Sequence, residues 1–188
     1  MKAADFDFSL PEELIAKEPH EKRDGSRLLI SHRNGRLESR RFHDLIEYLN
    51  EGDLLILKNT RVFPARLSGR KSTGGTVEFL LVREIKPGLW EILSKKKYKG
   101  IVSIAEDFTA EIGDGVAVLS YAGDVREAIW KYGDMPLPPY IKRKPVREDR
   151  AWYQTVYAGE EGSIAAPTAG LHFTEEMLEE IGAKGVVI

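Results

Sequence analysis

Short strand-like runs separated by glycine turns occupy residues 66–121, and they constrain the fold more than any other feature of the chain. The runs are rich in valine, isoleucine, leucine and phenylalanine, and they are separated by Gly74-Gly75, Pro87-Gly88, Gly100 and Gly113-Asp114-Gly115. Regular short strands of this kind predict a small barrel or sandwich. The runs cover residues 76–82, 89–93, 101–104, 108–112 and 116–121.

The residues on either side of this region have a mixed pattern. Residues 27–32 read as a strand that ends in an Asn34-Gly35 hairpin turn, and the continuous apolar run 54–57 predicts a strand buried on both faces of an α/β layer. The predicted fold is therefore an α/β main domain with an inserted small all-β, barrel-like domain. An amphipathic helix is predicted by the helical spacing of Phe42, Leu45, Ile46 and Leu49.

The predicted main domain is discontinuous, with residues 1–65 and 135–188 on either side of an insert at 66–134. The proline-rich segment at 136–139 favours an extended stretch, which we interpret as the linker back into the main domain; a ligand for an SH3-type domain is the alternative. Residues 186–188 resemble the beginning of another buried strand, so the main domain is expected to be incomplete in this chain.

Small residues, hydroxyls and one histidine crowd residues 162–174, immediately before a predicted helix. Thr174 is a good N-cap for that helix, and His172 precedes the helix by two residues. Free N–H groups at a helix start favour an anion, so a carboxylate or phosphate could lie beside a titratable imidazole. The alternative is a tightly packed turn in which the histidine is structural.

Four ordered blocks of the sequence resemble the S-adenosylmethionine:tRNA ribosyltransferase-isomerases, a family of queuosine biosynthesis. The longest block runs nearly unbroken through Gln154-Thr155-Val156-Tyr157-Ala158 and then 162–174. The other three are Arg23-Asp24-Gly25-Ser26-Arg27-Leu28-Leu29, then 52–55 continuing through 59–67, and Met135-Pro136-Leu137-Pro138-Pro139-Tyr140-Ile141. The family is longer than this chain, which therefore resembles an amino-terminal portion; whether that portion is active alone is left open.

The resemblance implies a tRNA-modifying transferase with an inserted β-barrel domain. The family moves the ribosyl part of S-adenosylmethionine onto the 7-aminomethyl-7-deazaguanine base of a tRNA anticodon, which gives epoxyqueuosine and releases adenine and methionine. S-adenosylmethionine is consumed as a co-substrate, and neither a metal nor a resident cofactor is implied. Such chemistry requires a base for a proton acidified by the sulfonium and polar groups that orient the ribose.

Position and chemistry suggest which residues serve this reaction. We predict His172 as the proton-transfer residue, with Thr168 and Thr174 orienting the ribose or the methionyl carboxylate. A second group of predicted substrate-binding residues comprises Asn59, Arg61, Arg27, Ser163 and Gly170. For Arg61 and Arg27 the alternative is an ion pair that ties the first strand to the loop after residue 57.

Two basic clusters are predicted to bind tRNA, although the chain has a formal net charge of −2. Phosphate contacts depend on where lysine and arginine gather, and these clusters lie beside aromatic residues suited to base stacking. The alternative is a solvated lysine-rich face. The clusters consist of Lys95, Lys96 and Lys97, beside Tyr98, and of Lys142, Arg143 and Lys144, after Tyr140 and before Trp152 and Tyr153.

Composition narrows the remaining classes. The absence of cysteine excludes disulfides and thiolate sites, and no apolar run approaches the roughly 20 residues that span a bilayer, so we expect a cytoplasmic monomer without a membrane partner. There is no G-x-G-x-x-G or P-loop motif, which argues against a conventional nucleotide-binding enzyme. Two alternatives to the transferase remain: a non-catalytic RNA-binding module, and a truncated, inactive portion of the enzyme.

Overall fold

The structure, a computed structural model, describes residues 2–188 as a six-stranded barrel flanked by smaller elements. The strands are β1 (Arg27–Ser31), β2 (Leu37–Arg41), β3 (Thr60–Val62), β4 (Arg66–Lys71), β5 (Thr76–Lys86), β6 (Leu89–Ser94), β7 (Gly100–Ser103), β8 (Phe108–Gly113), β9 (Val116–Tyr121) and β10 (Glu160–Ser163). The α-helices are α1 (Val125–Tyr132), α2 (Asp149–Trp152) and α3 (Glu175–Ala183). Short 3-10 helices cover Ala3–Phe6, Glu12–Leu14, Arg23–Gly25, Phe42–Tyr48 and Thr168–His172.

The barrel predicted from the glycine-separated runs is confirmed. Its strands are antiparallel neighbours in the order β4-β5-β6-β9-β8-β7, and β7 pairs with β4 to close it. Gly69 permits this closure because a Cβ there would lie 2.9 Å from the Ser103 carbonyl oxygen. Strand β4 completes the barrel but was not among the predicted runs, since its sequence is mostly polar and contains that glycine.

Alternating residues of the barrel strands form the larger of two hydrophobic cores. Phe79, Leu81 and Phe108 are almost completely buried there, and helix α1 adds Ala128 and Ile129 at one end. The chain enters and leaves this region side by side, because Arg66 and Asp134 exchange two backbone hydrogen bonds of 3.1 and 2.9 Å. The division into domains at 66–134 stays a prediction.

The smaller core joins residues 28–57 to residues 157–186. Phe42 packs edge-on against Phe173, with ring centroids 5.0 Å apart, and helix α3 contributes Met177 and Ile181. The predicted amphipathic helix after residue 41 is present as the 3-10 helix Phe42–Tyr48, with its apolar side on this core. The β1–β2 hairpin, also predicted, lies beside it.

The prediction of a fully buried strand at residues 54–57 was wrong. Leu54 makes a single parallel bridge to Val187, and only Leu55 and Leu57 pack against the smaller core. Leu54 and Ile56 are 66% and 83% exposed because their side of the segment has no covering layer in the described residues. The α/β character of the main domain is therefore not confirmed and stays a prediction.

Outside the barrel, the described strands form two small sheets. One is the β1–β2 hairpin, and the other is a short parallel pair of β3 and β10. No helix in residues 2–188 has the length and apolar character that crossing a bilayer requires.

Candidate active site

The predicted catalytic residues His172 and Thr168 line one cavity of about 660 Å³. Arg27, a predicted substrate-binding residue, lines the same cavity, although it is separated from them by more than half of the chain. Both His172 and Thr168 belong to the 3-10 helix Thr168–His172, whose two ends face this cavity. The structure thus brings Arg27 to the same cavity as two side chains of the 162–174 motif.

Arg23 fixes the orientation of the His172 ring. The backbone oxygen of Arg23 lies 3.3 Å from His172 Nδ1. Its guanidinium donates to three backbone oxygens, at 3.1 Å to Leu171, 2.8 Å to Gln154 and 2.8 Å to Ala151. One residue therefore holds both the ring and the backbone beside it. Sequence reasoning assigned no role to Arg23, and the only signal was its place in a block that resembles the family.

This contact determines how the neutral imidazole can act. A carbonyl oxygen accepts hydrogen bonds only, so Nδ1 must carry the proton when it faces Arg23. Nε2 then keeps its lone pair, and it has no hydrogen-bond partner among residues 2–188. The ring also packs on Phe42, with centroids 5.1 Å apart. A half-buried imidazole held in this tautomer is suited to accept a proton at Nε2.

Gly170 allows Tyr157 to approach the same 3-10 helix. A Cβ at Gly170 would lie 2.2 Å from Tyr157 Oη and 3.1 Å from Thr155 Cγ2. Burial raises the pKa of the Tyr157 hydroxyl. Gly170 lines a second, largely apolar cavity of about 520 Å³ together with Tyr157 and Thr168, not the cavity of His172. The space that a side chain at Gly170 would need is occupied by Tyr157.

Thr174 and Ser163 are engaged in local backbone contacts. Thr174 is the N-cap of helix α3, as predicted, and its Oγ1 accepts a 3.1 Å hydrogen bond from the Met177 N–H. Ser163 Oγ donates to the Ala165 carbonyl oxygen at 2.8 Å and accepts from Lys58 Nζ at 3.4 Å. Neither residue lines the cavity of His172. Their predicted roles in the reaction stay predictions.

Asn59 and Arg61 lie at the junction of β3, β10 and helix α1 and do not line the cavity of His172. The Asn59 carbonyl oxygen accepts from two backbone N–H groups at the start of β10. The Arg61 guanidinium lies 5.0 Å from the centre of the Trp130 ring, whose Nε1 donates to Glu161 at 2.9 Å. These contacts favour a structural role for Arg61 through the Trp130 ring, not through the ion pair with the first strand that was the alternative to substrate binding. Its predicted role in substrate binding stays a prediction.

A larger cleft of about 1050 Å³ separates the barrel from the proline-rich segment. It contains four of the six predicted tRNA-binding residues, Lys95, Lys142, Arg143 and Lys144. Lys96 and Lys97 are exposed nearby but do not line it.

Arg143 differs from the lysines of the cleft because its guanidinium is already engaged. It donates to both carboxylate oxygens of Asp149, to the Lys17 carbonyl oxygen and to the Lys144 carbonyl oxygen. Lys142 pairs with Glu12 at 2.6 Å, but both side chains are largely exposed, so this contact can exchange for another at little cost.

The cleft and the cavity of His172 share a wall. Tyr140, Ile141, Arg143, Tyr153 and Thr168 line both. Burial, with a smaller contribution from Tyr140, raises the pKa of the Tyr153 hydroxyl. A polymer bound in the cleft can therefore extend into the cavity past Tyr140 and Tyr153, whose rings can stack on a base.

Among residues 2–188, no group of three or more histidine, aspartate or glutamate side chains is arranged to hold a metal ion.

The family model and the curated relatives that match this chain indicate the same family. The family model described as "Queuosine biosynthesis protein" matches residues 3–188. The S-adenosylmethionine:tRNA ribosyltransferase-isomerase of Thermodesulfovibrio yellowstonii is 50% identical over 197 aligned positions, covering 99% of this chain and 57% of the relative. The proteins of that name from a Sulfurihydrogenibium species and Halothermothrix orenii are 47% and 46% identical, each over the whole chain. The chain spans less than two thirds of the length of these relatives.

One similar solved structure is the crystal structure of S-adenosylmethionine tRNA ribosyltransferase from Thermotoga maritima. It is 36% identical, and the alignment covers 97% of this chain and 55% of that one, with a TM-score of 0.38.

Proposed function

Because this chain belongs to the queuosine biosynthesis protein family, we propose that its protein is an S-adenosylmethionine:tRNA ribosyltransferase-isomerase. In this proposal the ribosyl moiety of S-adenosylmethionine is transferred to the 7-aminomethyl-7-deazaguanine base of a tRNA anticodon. The products are epoxyqueuosine in the RNA, free adenine and methionine. S-adenosylmethionine is consumed, and no resident cofactor takes part. We expect a cytoplasmic monomer.

The observation that carries the proposal is the cavity shared by His172, Thr168 and Arg27. It supports the reaction because it offers a proton acceptor, a hydroxyl and a cation around a space large enough for a nucleoside. The chain provides 57% of the length of its relative from Thermodesulfovibrio yellowstonii, so further walls of the site can come from the remaining part of such a protein.

His172 is proposed as the group that removes the proton acidified by the sulfonium. Its Nε2 is the free ring nitrogen, because the Arg23 carbonyl oxygen holds the proton on Nδ1. Thr168 would orient the ribose, since its exposed side chain borders the cavity of His172 and both neighbouring cavities. Arg23 would act as a positioning residue that keeps the ring in place.

The tRNA is proposed to lie in the cleft between the barrel and the proline-rich segment. Lys95, Lys142 and Lys144 would contact phosphates there. Tyr140 and Tyr153 lie where the cleft meets the cavity, so they would stack on the modified base as it leaves the stacked bases of the anticodon loop.

The test is adenine release. Protein expressed from the complete open reading frame is incubated with S-adenosylmethionine and tRNA that carries the 7-aminomethyl-7-deazaguanine base. We expect free adenine together with the matching gain in RNA mass, and none with unmodified tRNA. Repeating the assay with residues 1–188 shows whether this portion is sufficient.

Binding of both substrates without any adenine would contradict the transferase proposal. That outcome would leave the non-catalytic RNA-binding module, for which the lysine-lined cleft is the relevant surface. Activity of the complete protein alone would identify residues 1–188 as an inactive portion.

A further inference from the structure

The β1–β2 hairpin has an outer face that carries positive charge without any carboxylate. Side chains alternate across a strand, so the inward residues Leu28, Ile30, Glu38 and Arg40 leave six others facing outward. All six are exposed, and Leu29 and Leu37 are 68% and 63% exposed. The outer face consists of Arg27, Leu29, Ser31, Leu37, Ser39 and Arg41.

Arg27 and Arg41 are direct partners across this hairpin. The Phe42 N–H donates to the Ser26 oxygen at 2.8 Å, and the His32 N–H donates to the Arg36 oxygen at 2.9 Å. Hydrogen-bonded and non-hydrogen-bonded pairs alternate in an antiparallel ladder, so the Arg27–Arg41 pair is of the non-hydrogen-bonded kind. In such pairs the side chains are closest, with Cβ atoms about 5 Å apart.

Like charges directly opposite each other destabilise a hairpin unless something neutralises them. Neither arginine forms an ion pair with a carboxylate in residues 2–188. The three carboxylates nearest in sequence are engaged otherwise. Asp44 accepts the backbone N–H of Arg41 at 2.9 Å, Asp24 lies 3.4 Å from His43, and Glu38, on the opposite face, pairs with Arg36 and Arg40. Arg41 donates to the Gly25 carbonyl oxygen at 2.9 Å, which anchors its guanidinium and leaves the positive charge in place.

Both arginines also line the cavity that contains His172. They do not line the lysine-rich cleft, so they belong to a different part of the cavity wall from the tyrosines shared with that cleft. An anionic polymer passing the cavity would meet cations at both places.

We propose that the outer face of the β1–β2 hairpin binds an RNA strand, with Arg27 and Arg41 together holding one phosphodiester at the rim of the cavity. This rests on the proposed function for the identity of the polymer. A guanidinium pair offers several N–H donors to phosphate oxygens, and the phosphate removes the repulsion between the two cations. The exposed Leu29 and Leu37 extend the same face and can cover the apolar side of a ribose or base.

An RNA phosphate fits this position better than the carboxylate of S-adenosylmethionine. The pair is exposed on an outer sheet face that continues away from the cavity for the length of the hairpin. A small ligand inside the cavity would leave most of that face uncovered. A strand would cover it and would place nucleotides on both sides of the one whose base enters the cavity.

The test measures tRNA affinity as a function of salt for Arg27→Gln, Arg41→Gln and the double variant of the complete protein. Loss of one phosphate contact lowers the slope of log affinity against log salt by about 0.7–0.9. Because the two arginines share one phosphate, the double variant should lose about one contact in total. Its affinity should fall at least about tenfold, the usual loss for a charged hydrogen bond.

Arg83→Gln is the matched control, since it removes the same charge from an exposed side chain of strand β5 that lines neither the cavity of His172 nor the cleft. It should leave the slope unchanged. Arg27→Lys should retain most of the slope because it keeps the charge. Thermal melting checks that each variant is folded.

A double variant with the slope of the Arg83→Gln control would overturn the inference. So would a loss of S-adenosylmethionine affinity with an unchanged tRNA slope, because the pair would then hold the carboxylate. Adenine release by the parent protein reports on the proposed function alone. If the double variant has a lower slope than the parent but the parent forms no adenine, this inference stands and the transferase proposal is contradicted. If the parent does not bind tRNA, both are contradicted.

Discussion

The carboxylate of Asp149 is completely buried and accepts hydrogen bonds from both terminal nitrogens of Arg143, at 2.7 and 2.6 Å. This pair ties Arg143, which follows the proline-rich segment, to helix α2. Burial alone would raise the pKa of Asp149, but hydrogen bonds from Arg143 and from the Val146 N–H outweigh it and lower the pKa. Arg143 lines both the cleft and the cavity of His172, so the wall that they share depends on this pair.

We predict that Asp149→Asn destabilises the protein by about 3–5 kcal/mol at pH 7, because it leaves the Arg143 charge without its partner. The folded pKa is lowered, so this stabilisation is present above the ordinary aspartate pKa and is lost as the pH falls through the folded value. Urea unfolding at several pH values measures it. Glu148→Gln, an exposed neighbour, is the control, and an equal effect in both variants would contradict the prediction.

Gly170→Ala should destabilise the protein by about 1–3 kcal/mol, because its Cβ would lie 2.2 Å from Tyr157 Oη. Removing that oxygen with Tyr157→Phe leaves the nearest ring carbon at 3.3 Å, so the second substitution should restore much of the loss. A double-mutant cycle by thermal unfolding tests this. Strictly additive effects would mean that the two residues are not in contact.

Thr174→Ala should cost about 1 kcal/mol of stability, the usual value for an N-cap, with Thr174→Ser close to the parent. Since the hydroxyl is engaged by the Met177 N–H, we expect little change in the rate of adenine formation at saturating substrate. A rate loss that exceeds tenfold in Thr174→Ala, while the protein remains folded, would restore its predicted role in the reaction.

Arg61→Ala should lower stability by about 0.5–1 kcal/mol, through loss of the contact with the Trp130 ring, and leave S-adenosylmethionine affinity unchanged. Calorimetric binding and thermal unfolding measure the two effects. Unchanged stability together with weaker binding would instead support the substrate contact predicted from the sequence.

Local features of the sequence were sufficient for the elements that depend on near neighbours. The barrel, the β1–β2 hairpin and the Thr174 cap follow from side-chain alternation, turn glycines and helix capping. Strand β4 was missed because its own residues are mostly polar, and it forms a strand through its pairing with β5 and β7. The prediction for residues 54–57 was wrong because an apolar run shows that the residues are hydrophobic but not whether both faces of the segment are covered.

The site was predictable only in part, for the same physical reason. The 162–174 motif identified His172, but the contact that orients its ring comes from Arg23, which is 149 positions away. For Arg143 the missing information is burial: its charge suggested RNA binding, but the basic cluster does not show that Asp149, six positions later, is buried and pairs with it. Neither a partner that is distant in sequence nor the burial of a nearby one can be read from spacing within one motif.

We propose that His172 transfers a proton in a site built around the 3-10 helix Thr168–His172, which Arg23 holds in place. The most direct measurement is the rate of adenine formation by His172→Ala in the complete protein at saturating S-adenosylmethionine and tRNA, with the exposed His43→Ala as the matched control. We predict a loss of about 10²–10⁴-fold, or about 3–5.5 kcal/mol of barrier, for His172→Ala and none for His43→Ala. A loss below about tenfold in a folded His172→Ala protein would contradict the account and reduce His172 to a packing residue of the turn.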